Sequence, residues 1–251
     1  MMILDRPLAL FALSLLALCL SVAMGAFIGE KRPPKENEKE NLGFVISAST
    51  TLLALVIGFS FSMAVSRYDL RKNDEEEEAN AIGTEYVRTN VLPSDDAAKI
   101  RMLLRQYLDQ RLLFYTTDDL ARLERIDNDT TKLQNEMWSI VANVSQSRPT
   151  PPIALALSGM NDVLNRQGYT QAAWWNRIPI GAWSLMLALA IFCCALIGYR
   201  AQRKGTNLLI VLPIILSVAF FLIADIDNPR LGVIRVSPQN LISLSRSMHK
   251  E

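Results

Sequence analysis

The stretch LGFVISASTTLLALVIGFSFSMAVSRYDLRKNDEEEEANAIGTEYVRTNVLP, Leu42 to Pro93, decides the fold. Its first part, Leu42–Val65, carries no Asp, Glu, Lys or Arg and exceeds the roughly 20 apolar residues that cross a bilayer as a helix. No helix breaker follows. The chain runs on through Ser66–Lys72, an acidic run at Asp74–Glu78 and the block Glu78–Thr84, and stops only at Leu92-Pro93. The stretch predicts one helix of roughly fifty residues, reaching about 40 Å past the bilayer at a rise of about 1.5 Å per residue. Such a helix joins a membrane module to a soluble one.

The rest of the chain is segregated in the same way. Half of its 251 residues are apolar, and they gather in four stretches without Asp, Glu, Lys or Arg: Leu8–Gly29, Leu42–Val65, Ile178–Tyr199 and Asn207–Ala224. Each is long enough to cross the membrane. The expected fold is all-α, with four transmembrane helices and a helical soluble domain inserted between helices 2 and 3. The divisions are an N-terminal hairpin at 1–65 (helices 8–29 and 42–65), the soluble domain at 66–177, a second hairpin at 178–224 (helices 178–199 and 207–224), and a tail at 225–251. Leu8–Ile28 reads as a retained anchor, because it is longer than a signal core and the next helix needs an antiparallel partner.

Composition excludes several classes. The net charge of +1 is spread along the chain, without the basic stripe that nucleic-acid binding requires. Cys19, Cys193 and Cys194 all lie in membrane segments, so neither a disulfide framework nor a zinc-ligand spacing is available. No nucleophile–base constellation, phosphate loop or cofactor motif appears, and the one histidine, His249, sits two residues from the end. An enzyme is not expected, nor is a cofactor. No ionisable group falls inside the four segments, which disfavours a proton-coupled pump.

The short loops carry Lys31, Arg32, Lys35 and Lys39, then Arg200, Arg203 and Lys204. That density marks them as cytoplasmic and turns the soluble domain outward. Within the insertion, apolar residues recur at three and four throughout. Ser94 begins a helix with Asp95 and Asp96 in its first turn, whose apolar face is Ile100, Leu103, Leu104, Tyr107, Leu108, Leu112 and Tyr115. A second runs from Thr117–Asp119 through Leu120, Leu123, Ile126, Thr130, Leu133, Met137, Ile140 and Val144 to Pro149, Pro151 and Pro152. A third, Ile153–Asn176, feeds directly into the third membrane segment past Trp174 and Trp175, an interfacial belt.

Three blocks carry a family resemblance: Gly58–Asp69 (GFSFSMAVSRYD), Glu78–Thr84 (EANAIGT) and Asp225–Val236 (DIDNPRLGVIRV). They resemble a family of bacterial multi-pass membrane proteins of unassigned function described as bestrophin-like, distantly similar to bestrophin anion channels. The resemblance implies a bacterial cytoplasmic membrane location, a homo-oligomer (a pentamer by analogy), an inorganic anion as the permeant partner, and a pore lined by the second membrane helix. It also implies a cytoplasmic helical domain, against the loop charges, so the side stays open. An apolar pore neck and a calcium-binding acidic run have no clear counterpart here.

On a helical wheel Ser47, Thr50, Thr51, Ala54, Gly58, Phe61, Ser62 and Val65 share roughly 120° of the second membrane helix. They form a pore wall in which hydroxyls replace hydration and Phe61 or Val65 constricts, or a packing face, which favours small residues equally. Arg67, Arg71, Lys72, Glu75 and Glu78 are candidate pore-mouth charges, against the bland reading of a solvated helix face. Asp225 and Asp227 are a weak metal candidate, set against pairing with Arg230, Arg235 or the basic start of the soluble helix. The function expected is an oligomeric anion-permeable channel in the lipid bilayer; the alternative is a non-conducting scaffold or sensor whose helical domain binds a partner.

Overall fold

The computed structural model describes residues 6–201 and 209–249. Its helices are α1 (Pro7–Lys31), α2 (Glu36–Arg88), α3 (Ser94–Thr116), α4 (Leu120–Ser147), α5 (Pro151–Trp175), α6 (Ile180–Ala201), α7 (Val211–Asp227) and α8 (Gln239–Met248). A 3-10 turn, Thr89–Val91, follows α2. No strand occurs among the described residues, and Val233–Val236 runs as irregular backbone. The loop residues Arg203 and Lys204, and the expected start of the fourth segment at Asn207, lie outside the described residues.

Among the described residues, three stretches are long and apolar enough to cross a membrane, within Pro7–Lys31, Glu38–Val91 and Pro151–Ala201. The last is two helices, with non-helical backbone at 176–179. This corrects the expectation that the soluble domain runs unbroken into the third membrane segment. Pro179 is the cause: it disfavours helical backbone in the residue before it, and its carbonyl instead accepts from Ala182 N at 3.0 Å to begin α6. The long helix ending near Pro93 is present, and α2 spans 53 residues. α7 is shorter, at 17 residues.

The chain divides into two compact units, Met1–Arg67 with Arg177–Arg235, and Tyr68–Asn176 with Val236–Glu251. In the first, α1 packs along α6 and α7. Its crossing with α6 is backbone-close. A Cβ on Gly25 would collide with the Ala195 carbonyl, one on Gly29 with the Tyr199 carbonyl, and one on Gly198 with the Val22 carbonyl. Ser21 Oγ donates to Ile191 O across the same contact at 2.7 Å. Small residues and interhelical hydroxyl bonds drive association where lipid and side chain are equally apolar.

The second unit has an apolar core from every helix in it, including Ile82, Ile100, Leu104, Tyr107, Met137, Val141, Met160 and Val163. The recurrence at three and four that predicted α3 and α4 is the reason these side chains face inward. Asp119 caps α4, accepting from Ala121 N at 2.9 Å. α3 begins one residue earlier than a Ser94 cap would place it, with Pro93 at the cap position.

Candidate functional site

Helix α2 carries the candidate pore face, and its membrane part is the least covered. Of its best apolar stretch of 18 residues only 6% is buried, against 28% in α1. One heptad stripe, Ile46, Thr50, Leu53, Ile57, Ser60 and Ala64, is turned inward. Ser47, Thr51, Ala54, Gly58, Phe61 and Ser62 are exposed, and so are the bulky Leu52, Leu55, Phe59 and Met63 beside them. The helix thus has three faces: one packed on its own chain, one small and hydroxylated, one large and apolar. Two of the eight sequence candidates fall at the margin. Thr50 is partly covered, its hydroxyl buried beside Cys193, and Val65 is half-buried. Nothing lies within 4 Å of a Cβ built on Gly58. Thr51 Oγ1 donates to Ser47 O at 2.9 Å, so that hydroxyl turns an acceptor outward.

The five charge candidates separate. Arg67 pairs with Asp227 Oδ1 at 3.5 Å, and Lys72 is exposed. Arg71, Glu75 and Glu78 are buried inside the second unit, at 1%, 1% and 0% exposure, rather than solvated. Arg71 donates to the carbonyls of Ala173 and Asn176 at 3.2 and 3.3 Å, the last carbonyls around the end of α5. Glu75 accepts from Leu241 N at 2.9 Å and Asn240 Nδ2 at 2.7 Å, capping α8. Glu78 forms an ion pair with Arg111 of α3 and accepts from Thr170 Oγ1 at 3.1 Å and Tyr115 OH at 3.4 Å. A buried charge persists only when its polar atoms are compensated; all three are hydrogen-bonded, and Glu78 is ion-paired as well.

The carboxylates in the last turn of α7 are structural in the same sense. Asp225 accepts from Val233 N and Ile234 N at 2.7 and 2.9 Å. Asp227 accepts from Ile178 N at 3.1 Å in addition to Arg67. Pairing with the basic start of the soluble helix, expected as an alternative to metal binding, is the arrangement found for Asp227. Asn228 Oδ1 accepts from Arg230 N and Leu231 N, both at 3.1 Å, an Asx turn. Among the described residues no group of three or more His, Cys, Asp or Glu is placed to hold a metal ion.

Two of the three sequence blocks, Gly58–Asp69 and Asp225–Val236, thus meet at Arg67–Asp227. A Bestrophin-like domain model matches residues 9–241. The chain belongs to the Bestrophin-like family. Two crystal structures of substituted forms of a bacterial bestrophin homolog from Klebsiella pneumoniae match this Bestrophin-like chain with TM-scores of 0.66 and 0.67. They are 17% and 16% identical, over 94% and 97% of this chain and 98% and 95% of theirs. At that identity the likeness is one of fold. No curated protein matches. The protein is therefore a helical membrane protein of the Bestrophin-like family, in contact with the lipid bilayer.

Sequence reading passed over one residue. Glu85 is 0% exposed and neither carboxylate oxygen has a hydrogen-bond partner. Burial pushes its pKa up to about 8, Arg88 opposes and Asp162 adds to the rise. The folded protein holds that proton more tightly than an ordinary Glu at 4.5 does. Its contribution to stability is therefore full below pH 4.5 and lost as pH rises through 8. Glu85→Gln, neutral at every pH, should melt with the wild type near pH 5 and above it near pH 9, the gap opening at roughly 1.4 kcal/mol per pH unit at most. Thermal melts of the detergent-solubilised pair check this; a gap independent of pH contradicts it.

Proposed function

We propose that this chain assembles into a homo-oligomeric, anion-permeable channel, with four crossings (α1, the membrane part of α2, α6 and α7) and α2 lining the pore. The observation that carries the reading is the uncovered face of α2. A helix packed on its own chain along a single stripe has two faces left to satisfy. The bulky face of Leu52, Phe59 and Met63 suits lipid or a neighbouring subunit. The face of Ser47, Thr51, Ala54, Gly58, Phe61 and Ser62 suits a wetted wall, where small side chains leave room and hydroxyls substitute for hydration. Because Thr51 spends its proton on Ser47 O, the donors toward an anion are the exposed Ser47 and Ser62, with Phe61 as the apolar constriction between them. Exposed Lys72 supplies the positive charge at the cationic turn that follows. By analogy with bestrophin anion channels the ring is symmetric and five-fold.

The test is reconstitution of the purified oligomer into planar bilayers under symmetric chloride. A folded oligomer that passes chloride current is expected. A folded oligomer that passes none, or one whose symmetry axis lies away from α2, favours the non-conducting scaffold instead.

A further inference from the structure

The block Glu78–Thr84 is only partly explained by packing. Glu78 and Ile82 are core, but Asn80, Ala81 and Thr84 line a groove between α2 and α5 with a volume of about 370 Å3. Glu77, Arg88, Gly159, Asp162 and Arg166 complete it. We propose that this groove binds a small molecule through an oxyanion group, a carboxylate or a phosphate, held by Arg88.

The floor of the groove is set by Gly159. A Cβ there would collide with Glu85 Oε2 and Arg88 Nη1, so the absence of a side chain on α5 is what admits these two groups. The buried Glu85 carboxyl, without a hydrogen-bond partner, is aimed at that floor beside the Arg88 guanidinium. The charges sort unevenly. Arg166 is neutralised at one end by its ion pair with Glu77. Glu85 is the carboxylate placed to neutralise Arg88, yet it takes a proton with a pKa of about 8 and is chiefly uncharged at neutral pH. Arg88 is left facing the groove with its charge uncompensated by Glu85. A guanidinium presents a planar fork of donors matched to carboxylate and phosphate. Asn80 and Thr84, both exposed, sit two turns and one turn before Arg88 on the same stripe and offer an amide and a hydroxyl to the same group. Asp162, exposed on the α5 side, limits the negative charge accepted and favours a ligand with a donor on its other end. A bound molecule would bridge α2 and α5.

The full-length protein in detergent is titrated with sodium phosphate in one arm and sodium acetate in another, at fixed sodium and chloride, with the melting temperature as readout. Saturable stabilisation is expected in at least one arm; which arm responds identifies the oxyanion. Arg88→Gln should weaken the response at least tenfold. Asn80→Asp, at an exposed position that leaves the core untouched, should weaken it severalfold by repelling the anion. Lys132→Gln, at an exposed residue of α4 away from the groove, should match the wild type. No saturable response to either anion overturns the site, as does an unchanged response in both Arg88→Gln and Asn80→Asp. The readout is independent of any current.

Discussion

Replacing Glu78 with Leu should destabilise the helical domain by about 3–5 kcal/mol, the cost of stranding one partner of a buried ion pair. Against a total of about 5–15 kcal/mol for a domain, that removes much of its margin. The reason is the asymmetry of the pair. Arg111 is 1% exposed and cannot shed its proton in a protein, so without Glu78 it is an obligate buried charge whose remaining compensation is the Phe114 ring, 4.5 Å away. Arg111→Met should cost less. The carboxyl it leaves behind can take a proton and keep Thr170 and Tyr115 as partners. The double variant should recover part of the loss, since an apolar pair replaces a desolvated one. Thermal unfolding of the four proteins, followed by circular dichroism, measures the order. An Arg111→Met variant less stable than Glu78→Leu would contradict this account of the pair.

Gly58→Leu should cut chloride current at least tenfold while leaving subunit folding and complex size unchanged. The position is suited to this because a Cβ there meets nothing within 4 Å. An exposed substitution of that kind ordinarily moves stability by less than about 0.5 kcal/mol. Any loss of current then comes from what faces Gly58 in the assembly. In the proposed ring symmetry multiplies the effect, as every subunit would add a bulky side chain at the same height. Gly25 offers no such test, because a side chain there collides with the Ala195 backbone. Wild-type current in a correctly assembled Gly58→Leu protein would take this face of α2 out of the pore.

The helices were legible because their signals are local. Apolar run length gave α1, α2 and α6, and the prolines at 93, 149, 151 and 152 gave the breaks between α2 and α5. Pro179 was just as visible, and its restriction on Ile178 is the signal for the interruption before α6. What sequence obscured was which way the acidic run faces. Five acidic residues in a row, 74–78, read as solvated. Yet Arg71, Glu75, Glu78, Ile82 and Glu85 recur at three and four, and Ile82 belongs to the core. The decisive hint lay on α3, where Arg111 occupies the apolar stripe between Tyr107 and Tyr115. A basic residue on a buried face requires a buried acid, and α2 supplies it. The small-hydroxyl stripe of α2 was equally plain by spacing. What covers it is not set by the packing of the single chain, and no local pattern states it.

The most direct test of the pore reading compares Ser62→Cys with Leu52→Cys, one on each exposed face of α2, in reconstituted protein exposed to a charged, membrane-impermeant thiol reagent. Cys193 and Cys194 are buried and Cys19 is half-buried within α1, and the wild type serves as the background. Current through Ser62→Cys should fall on reagent addition, while current through Leu52→Cys should match the wild type. Modification that blocks Leu52→Cys and spares Ser62→Cys would contradict the assignment.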